Sequence, residues 1–160
     1  LMATFGKAIG TSGAFVAASC ETVDYLTNFC RHYIYSTALP MPIVAATIKS
    51  IELSQQQWRR ERLNERIIHF REKAEQQSLT LMPSNSAIQP IIIGDSSNAL
   101  KVSQYLKEHG FWVSAIRPPT VPQNTARLRV TLSANHQLTD IDNLIIHLVR
   151  GLELLAKGDL

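Results

Sequence analysis

The sequence has little of what would place it at once in a functional class. It has only two cysteines among 160 residues, Cys20 and Cys30, without the spacing of a disulfide framework or a CxxC motif. We therefore expect a reducing compartment, the cytoplasm. No run of about 18 apolar residues occurs, so no membrane-spanning helix is predicted. The 16 basic and 13 acidic side chains nearly balance, which does not favour a nucleic-acid partner.

The histidines also lack a pattern that indicates a metal. None of them belongs to an HExxH motif or pairs with cysteine at a zinc-binding spacing, so no metal site is predicted. His136 lies in "SANH", where a turn or capping role explains it as well as a role in catalysis does.

The first third of the chain predicts two strands with a helix between them. "GAFVAAS" is typical of a short buried strand, "CETVDYLTNFCRH" has apolar residues at helical spacing, and "YIYST" is rich in aromatic and β-branched residues. After "ALPMP", a helical pattern runs from residue 41 to residue 77. We place a domain boundary inside this helix, near residue 57.

The rest of the chain alternates between strand and helix, which predicts a small α/β domain. "IQPIIIG", "FWVSAI" and "RLRVTLS" are predicted strands, and "SSNALKVSQYLKEHG" is a predicted helix that Gly110 ends. The last helix, "LTDIDNLIIHLVRGLELLAKG", is strongly amphipathic, and Thr139 and Asp142 are its expected capping pair.

A lysine between glycines, in "TFGKAIGTSG", is the first chemical signal. A nucleotide-binding P-loop would need a glycine where Leu1 stands and a hydroxyl residue where Ala8 stands, so that interpretation is rejected. What remains is Lys7 among small residues and hydroxyls, which suit a phosphate oxygen at close range. Lysine beside such a site suggests pyridoxal phosphate held as a Schiff base, although a lone lysine is usually a solvated surface charge.

Four segments then resemble the α-oxoamine synthases, which are fold-type I pyridoxal-phosphate enzymes. They are "TFGKAIGTSGAFVA", "YIYSTALPMP", "SAIQPIIIGDSSNAL" and "WVSAIRPPTVPQNTARLRVTLSANH", and the resemblance runs along the whole chain. It implies an α/β fold, the C-terminal part of a fold-type I transferase. Residues 1–57 would be a remnant of the large cofactor-binding domain with the first part of a linking helix. Residues 58–160 would be a small domain whose mainly antiparallel sheet is packed by helices.

The resemblance also assigns residues to the cofactor. Lys7 is implied as the catalytic lysine that carries pyridoxal 5'-phosphate and moves the α-proton of the substrate. Thr4 is implied as a contact of the cofactor phosphate, with a plain turn-forming hydroxyl as the alternative. Ser36 and Thr37 match the segment that places a hydroxyl near the neighbouring subunit's cofactor in a homodimer, and the sequence does not choose between them.

Strand alternation singles out Arg129 independently of any resemblance. In "RLRVTLS" a period of two sends Leu128 and Val130 to one face and Arg127 and Arg129 to the other. A guanidinium matches a carboxylate in bidentate geometry, and the resemblance implies that Arg129 holds the carboxylate of the amino acid. A surface ion pair is the alternative.

The proline-rich loop before that strand supplies two further substrate contacts by resemblance. They are Thr120 and Arg117, in a loop that Pro118, Pro119 and Pro122 stiffen. Arg117 could equally pair with an acidic neighbour.

The motif "IRPPTVP" favours one branch of the family. That branch condenses L-alanine with a pimeloyl thioester, carried on coenzyme A or on acyl carrier protein, during biotin synthesis. Sister enzymes that use glycine or serine are one alternative. The other is a non-catalytic α/β domain whose basic helix, with Arg59, Arg60, Arg62 and Arg66, binds an acidic partner; a solvated helix face explains those arginines more simply.

The chain begins with Leu1-Met2 directly before the lysine motif, so we expect it to be a fragment of something longer. By resemblance, the aromatic residue that stacks on the cofactor and the acid that pairs with its pyridinium nitrogen would lie upstream. We therefore expect these 160 residues alone to be inactive, and the first 50 or so to be poorly ordered or borrowed into an oligomer.

Overall fold

The computed structural model describes all 160 residues and divides them into two compact units, Leu1–Gln57 and Trp58–Leu160. Unit 1 contains the strands and helices β1 (Met2–Thr4), β2 (Ala14–Val16), α1 (Cys20–Phe29), α2 (Arg31–Ile34) and α3 (Met41–Ser54). At the boundary begins α4 (Gln57–Gln76). It is followed in unit 2 by β3 (Ile88–Gly94), α5 (Ser96–Glu108), β4 (Ser114–Ile116), β5 (Ala126–Thr131) and α6 (Leu138–Lys157). None of the six helices combines the length and apolar character needed to cross a membrane.

The two strands of unit 1 form an antiparallel ribbon in which Met2 pairs with Val16 and Thr4 with Ala14. The rings of Phe5 and Phe15 stack beside it with centroids 5.5 Å apart. The strand predicted in "GAFVAAS" is confirmed, but its predicted burial is wrong, because β2 is exposed along its whole length. The ribbon has only two strands, and Ala14, Phe15 and Val16 line an open groove together with Val23 and Leu26 of α1, so β2 stays exposed.

The strand predicted at "YIYST" is wrong. Residues Arg31–Ile34 form the single helical turn α2, and Tyr35 is its C-cap. The backbone amides of Tyr33 and Ile34 donate to the carbonyl of Cys30, and the amide of Tyr35 donates to the carbonyl of Arg31. Each donor–acceptor distance is 3.0 Å. These local bonds satisfy the backbone without a neighbouring strand, and local context overrides the β-propensity of the side chains.

The continuous helix predicted from residue 41 to residue 77 is also wrong, since α3 and α4 are separate helices. The chain leaves the helix at Gln55 and Gln56, whose amides donate to Glu52 and Leu53 three residues back rather than four. Such bonds tighten the last turn of a helix and end it. The helical period of the side chains continues across this break, so the pattern alone did not reveal it.

Unit 2 is a two-layer α/β structure. Its sheet has the order β3–β5–β4, and both pairs of neighbours are antiparallel. One face of the sheet carries Ile91, Leu128 and Val130, which are buried against α4, α5 and α6. Val113 and Leu132 add to this core from the connecting segments, and the three helices contribute Ile67, Phe70, Val102, Leu106, Ile141, Leu144, Ile145 and Leu148.

The cap predicted for the last helix is placed two residues too late. Gln137 is the N-cap of α6, its side chain accepts from the N3 backbone, and the carboxylate of Asp140 accepts from the amide of Gln137 at 2.8 Å. This is the reciprocal capping-box geometry with glutamine in place of the expected threonine. Helix α6 therefore begins at Leu138, and its apolar stripe still faces the core as predicted.

Leu128 carries the first testable prediction because it lies at the centre of this core and is fully buried. We expect Leu128→Ala to lower the free energy of unfolding of unit 2 by about 2–5 kcal/mol, through lost burial and a residual cavity. Ile92→Ala on the neighbouring strand is the matched control, since Ile92 is 44% exposed and should change stability far less. Urea denaturation followed by fluorescence would measure both, since Trp58 and Trp112 lie in unit 2. Equal losses would contradict this account of the core.

Candidate functional site

The residues proposed from the sequence fall into both units, and each unit presents one candidate patch. In unit 1 the patch is the lysine loop, residues 5–13, which joins β1 to β2. The amide of Phe5 donates to the carbonyl of Gly13 at 2.9 Å, and the amide of Thr11 donates to the carbonyl of Phe5 at 3.0 Å. A turn with the amide of Gly10 donating to the carbonyl of Lys7 at 2.9 Å closes the tip.

Gly13 is required by this loop for two reasons. Its φ of +105° is a backbone conformation that side-chain-bearing residues rarely adopt. A Cβ built there would lie 2.9 Å from Cδ1 of Leu39, so a methyl group would also displace a neighbour. The sequence therefore places glycine where the loop turns back into β2.

Lys7 is exposed at the tip, and its Nζ makes no hydrogen bond or ion pair within the chain. The backbone amides of Gly6, Lys7 and Ala8 have no acceptor either, and the exposed hydroxyl of Thr4 is unpartnered. The end of β1 and the lysine loop thus present a hydroxyl, an amine and successive open amides within a few residues. Successive amides in a turn form a nest that suits an anion, so these donors fit a phosphate-bearing aldehyde such as pyridoxal phosphate.

The loop is bonded to α3 by two side chains that no pattern in the sequence singles out. Oγ1 of Thr47 lies 2.8 Å from Oγ1 of Thr11, and Oγ of Ser50 donates to the carbonyl of Ile9 at 2.6 Å. A threonine and a serine in an apolar helical pattern are ordinary residues. Only the three-dimensional structure brings their hydroxyls to the loop.

Ser36 and Thr37, which the sequence left as equal candidates, differ in the structure. Both lie in the exposed segment after α2. The hydroxyl of Ser36 donates to the carbonyl of His32, while the hydroxyl of Thr37 has no partner within the chain. Only Thr37 therefore offers a free hydroxyl.

In unit 2 the patch is the arginine face of the sheet, opposite the helices. The predicted alternation is confirmed, because Leu128 and Val130 are buried whereas Arg129 is exposed and Arg127 is half-buried. On this face Arg129 lies between Pro90 of β3 and Ser114 of β4, and Arg127 lies between Ile92 and Ile116.

The two arginines of this face are not equivalent. Arg127 donates through Nε to the carbonyl of Thr125 and through Nη2 to the Thr125 hydroxyl, each at 3.1 Å, and through Nη1 to Sδ of Met82 at 3.1 Å. The side chain of Arg129 makes no hydrogen bond or ion pair in its unit. The surface ion pair considered from the sequence is thus not formed, and the fork of Arg129 is open to a carboxylate.

The proline-rich loop begins directly after β4. It opens as a turn in which the amide of Thr120 donates to the carbonyl of Arg117 at 3.0 Å, and the peptide bond between Pro118 and Pro119 is cis. Arg117 and Thr120 are exposed and their side chains have no partner in the unit. The loop ends where the hydroxyl of Thr125 donates to the carbonyl of Pro122 at 2.8 Å. Arg127 fixes this end of the loop by its bonds to Thr125.

Arg66 of the basic helix and His136 have structural roles in unit 2. Arg66 is only 6% exposed, and its Nε donates to the carbonyl of His136 at 3.1 Å, so it does not belong to a solvated basic face. The ring Nδ1 of His136 accepts from the amide of Ser133 at 3.2 Å, which is the turn role considered above. No three histidine, cysteine, aspartate or glutamate side chains are grouped so that they could hold a metal ion.

Sequence comparison identifies the class of protein to which this α/β fold belongs. Residues 1–148 match the family described as aminotransferase class I and II, and the chain belongs to that family. The predicted fold class, part of a fold-type I transferase, is confirmed by this match together with the antiparallel sheet of unit 2.

Curated relatives narrow the resemblance. The chain is 52% identical over 146 residues to the 8-amino-7-oxononanoate synthase of Saccharophagus degradans, an alignment that covers 91% of this chain and 37% of that protein. It is 51% identical over 160 residues to the enzyme of the same name from Pseudomonas savastanoi pv. phaseolicola, covering 99% of this chain and 40% of that one. The predicted resemblance is confirmed, and the chain spans only 37% and 40% of the length of these relatives.

Solved structures also match the fold of this chain. The 8-amino-7-oxononanoate synthase of Francisella tularensis matches with a TM-score of 0.84 and 29% identity, over 97% of this chain and 46% of that one. The serine palmitoyltransferase of Sphingomonas wittichii matches with a TM-score of 0.87 and 26% identity, over 99% of this chain and 40% of that one. A structure described as SPT with PLP matches with a TM-score of 0.88 and 27% identity, over 97% of this chain and 40% of that one.

The two arginines of the sheet give the second testable prediction. We expect Arg127→Ala to lower the free energy of unfolding of unit 2 by about 1–3 kcal/mol, because it leaves the acceptors of Thr125 and Met82 without their donor. Arg129→Ala should change it by less than about 0.5 kcal/mol, since an exposed side chain without partners stabilises little. Chemical denaturation of the two variants tests the difference, and a larger loss for Arg129→Ala would show that its guanidinium is engaged.

Proposed function

We propose that the protein containing this chain is a pyridoxal-phosphate-dependent acyltransferase that makes 8-amino-7-oxononanoate for biotin synthesis. The reaction is the decarboxylative condensation of L-alanine with a pimeloyl thioester, on coenzyme A or acyl carrier protein, and it releases carbon dioxide and the free thiol. The observation that carries the proposal is Lys7, whose amine has no partner and whose loop has backbone amides without acceptors. The chain that contains it has 52% and 51% sequence identity to two enzymes of that name.

Lys7 would hold pyridoxal 5'-phosphate through its Nζ. The hydroxyl of Thr4 and the open amides of the lysine loop would donate hydrogen bonds to the phosphate. When bound, the cofactor supplies an electron sink for the negative charge that develops at the α-carbon of an amino acid. The amine of Lys7, which has no competing partner in the chain, would then take the α-proton.

Arg129 would bind the carboxylate of L-alanine. Two parallel N–H donors of the guanidinium fit the two carboxylate oxygens, and binding breaks no existing hydrogen bond within unit 2. Thr120 and Arg117, at the start of the proline-rich loop, would contact the substrates from the same unit. Restriction of φ by the three prolines lowers the entropy lost when the loop orders around a substrate.

The proposal includes two subunits. Thr37, whose hydroxyl is free, would be lent to the cofactor phosphate of the other subunit in a homodimer, whereas the hydroxyl of Ser36 is already donated to His32. Residues 1–57 would then be the C-terminal part of the large cofactor-binding domain and residues 58–160 the small domain. The catalyst would be cytoplasmic, and these 160 residues would be inactive without the rest of that domain.

A sister enzyme is the second candidate, because serine palmitoyltransferases are similar in structure at TM-scores of 0.87 and 0.88. The same lysine and arginine would serve glycine or serine as well as alanine. Incubating the full-length protein with each amino acid and a panel of acyl thioesters, and weighing the products by mass spectrometry, separates the candidates. A non-catalytic domain would give no product with any of them and no visible absorbance of a bound cofactor.

The proposed role of Lys7 leads to a labelling prediction. Borohydride reduction of the full-length protein with pyridoxal phosphate should fix the mass of the cofactor on the peptide that contains Lys7, and Lys7→Ala should abolish the label. Lys49→Ala is the matched control, because Lys49 pairs with Glu52 at 3.0 Å on α3 and should leave labelling intact. Peptide mass mapping reads the result, and a label on any other lysine would remove Lys7 from the site.

The proposed role of Arg129 leads to a kinetic prediction. Arg129→Ala should raise the KM for L-alanine about 10- to 100-fold, because a hydrogen-bonded contact with a charged group contributes roughly 1.5–3 kcal/mol. Arg150→Ala on α6 is the control, since Arg150 is exposed and pairs only with Glu153 at 3.4 Å. Steady-state assays over a range of alanine concentrations compare the two, and an unchanged alanine dependence of Arg129→Ala would refute the assignment.

A further inference from the structure

Thr47 holds an unusual place in unit 1, since it is the one residue of that unit that is buried, with 8% of its surface exposed. It is polar, and its Oγ1 lies 2.8 Å from the carbonyl oxygen of Ile43 and 2.8 Å from the hydroxyl of Thr11. A buried hydroxyl without partners would cost free energy, so the contact with Thr11 is part of what permits this burial. The most protected point of the unit is therefore a hydrogen bond between α3 and the lysine loop.

Ser50 makes a second connection from the same face of α3, because it follows Thr47 by three residues. Its hydroxyl donates to the carbonyl of Ile9 at 2.6 Å. Ile9 and Thr11 flank Gly10, whose amide donates to the carbonyl of Lys7. The hydroxyls of Thr47 and Ser50 thus bond the side chain of Thr11 and the backbone of Ile9, in the segment that follows Lys7. These two hydrogen bonds are called the grip of α3 on the loop.

Apolar contacts supply only part of this attachment. Ile43, on the same face of α3 as Thr47 and Ser50, is half-buried, as are Phe5 and Ile9 of the lysine loop, whereas Ile48 and Ile51 are 56% and 40% exposed. None of these apolar side chains is fully buried, so the hydrogen bonds of Thr47 and Ser50 are the specific contacts that fix the position of the loop on the helix.

We propose that Thr47 and Ser50 are positioning residues that hold the lysine loop on α3 and thereby fix the place of the Lys7 amine. This inference rests on the proposed function of Lys7. Alanine is bound through Arg129 in unit 2, so loss of the grip should lower kcat and leave the KM for L-alanine unchanged. A small displacement of a proton-transferring group slows the chemical step even where binding is intact.

Amide hydrogen exchange of the full-length protein tests the grip without any assay of activity. The variant Thr47→Val with Ser50→Ala keeps the shape of α3 and removes both hydroxyls. We expect the amides of Gly10 and Thr11, which are hydrogen-bonded within the loop, to exchange about 10-fold faster or more, which corresponds to about 1.4 kcal/mol. Thr27→Val is the control, because the hydroxyl of Thr27 donates only to the carbonyl of Val23 within α1.

The single variant Thr47→Ser keeps a hydroxyl at this position, so its loop exchange and kcat should match those of the unmodified protein. If the double variant exchanges at an unchanged rate in residues 5–13, the grip does not exist and the proposal fails. If exchange accelerates but kcat stays the same, the two residues do not position Lys7, and the proposal also fails. Borohydride labelling decides the role of Lys7 separately, since a label on another lysine would refute the proposed function while leaving the exchange result intact.

Discussion

Strand β5 has to meet two opposed demands, and the candidate chemistry of unit 2 depends on how it does so. One face must be apolar enough to close the core against three helices, and Leu128 and Val130 are buried there. The other face must keep a charged donor free of partners, and Arg129 is exposed there. A two-layer structure makes this possible, because the helices lie on one face of the sheet only.

The lysine loop meets the same pair of demands by other means. Its backbone is fixed by bonds at its base, by the left-handed conformation of Gly13, and by the hydroxyls of Thr47 and Ser50. The donors that a phosphate-bearing ligand would need stay unpaired at its tip. Rigid support with uncommitted donors is the arrangement that lowers the entropic cost of binding, because little has to be ordered when the ligand arrives.

Much of this architecture could be predicted from the sequence, and the failures have physical causes. Periodicity predicted the strands and helices of unit 2, because each buries one face as the stripe of α6 does, although β4 covers only the last three residues of "FWVSAI". It failed at "YIYST", where local hydrogen bonds to Cys30 and Arg31 replaced a strand. It failed between α3 and α4 as well, because a helix can end without any change in the spacing of its side chains.

Some residues of the candidate site could likewise be predicted from the sequence, and others could not. Resemblance and alternation pointed to Lys7 and Arg129 because these residues belong to local motifs. Thr47 and Ser50 were missed because their partners Thr11 and Ile9 are 36 and 41 residues away in the sequence, and no local pattern encodes such a contact.

The choice between the two arginines of β5 shows why local patterns reach only so far. Alternation places Arg127 and Arg129 on one face and gives them equal standing. Thr125 distinguishes them, because its carbonyl and hydroxyl accept two donors of Arg127, and Met82 accepts a third. Arg129 is left free since its cross-strand neighbours, Pro90 and Ser114, form no such bond with it. Contacts outside the strand therefore decide which guanidinium is free: Thr125 and Met82 engage Arg127, and no side chain in the unit engages Arg129.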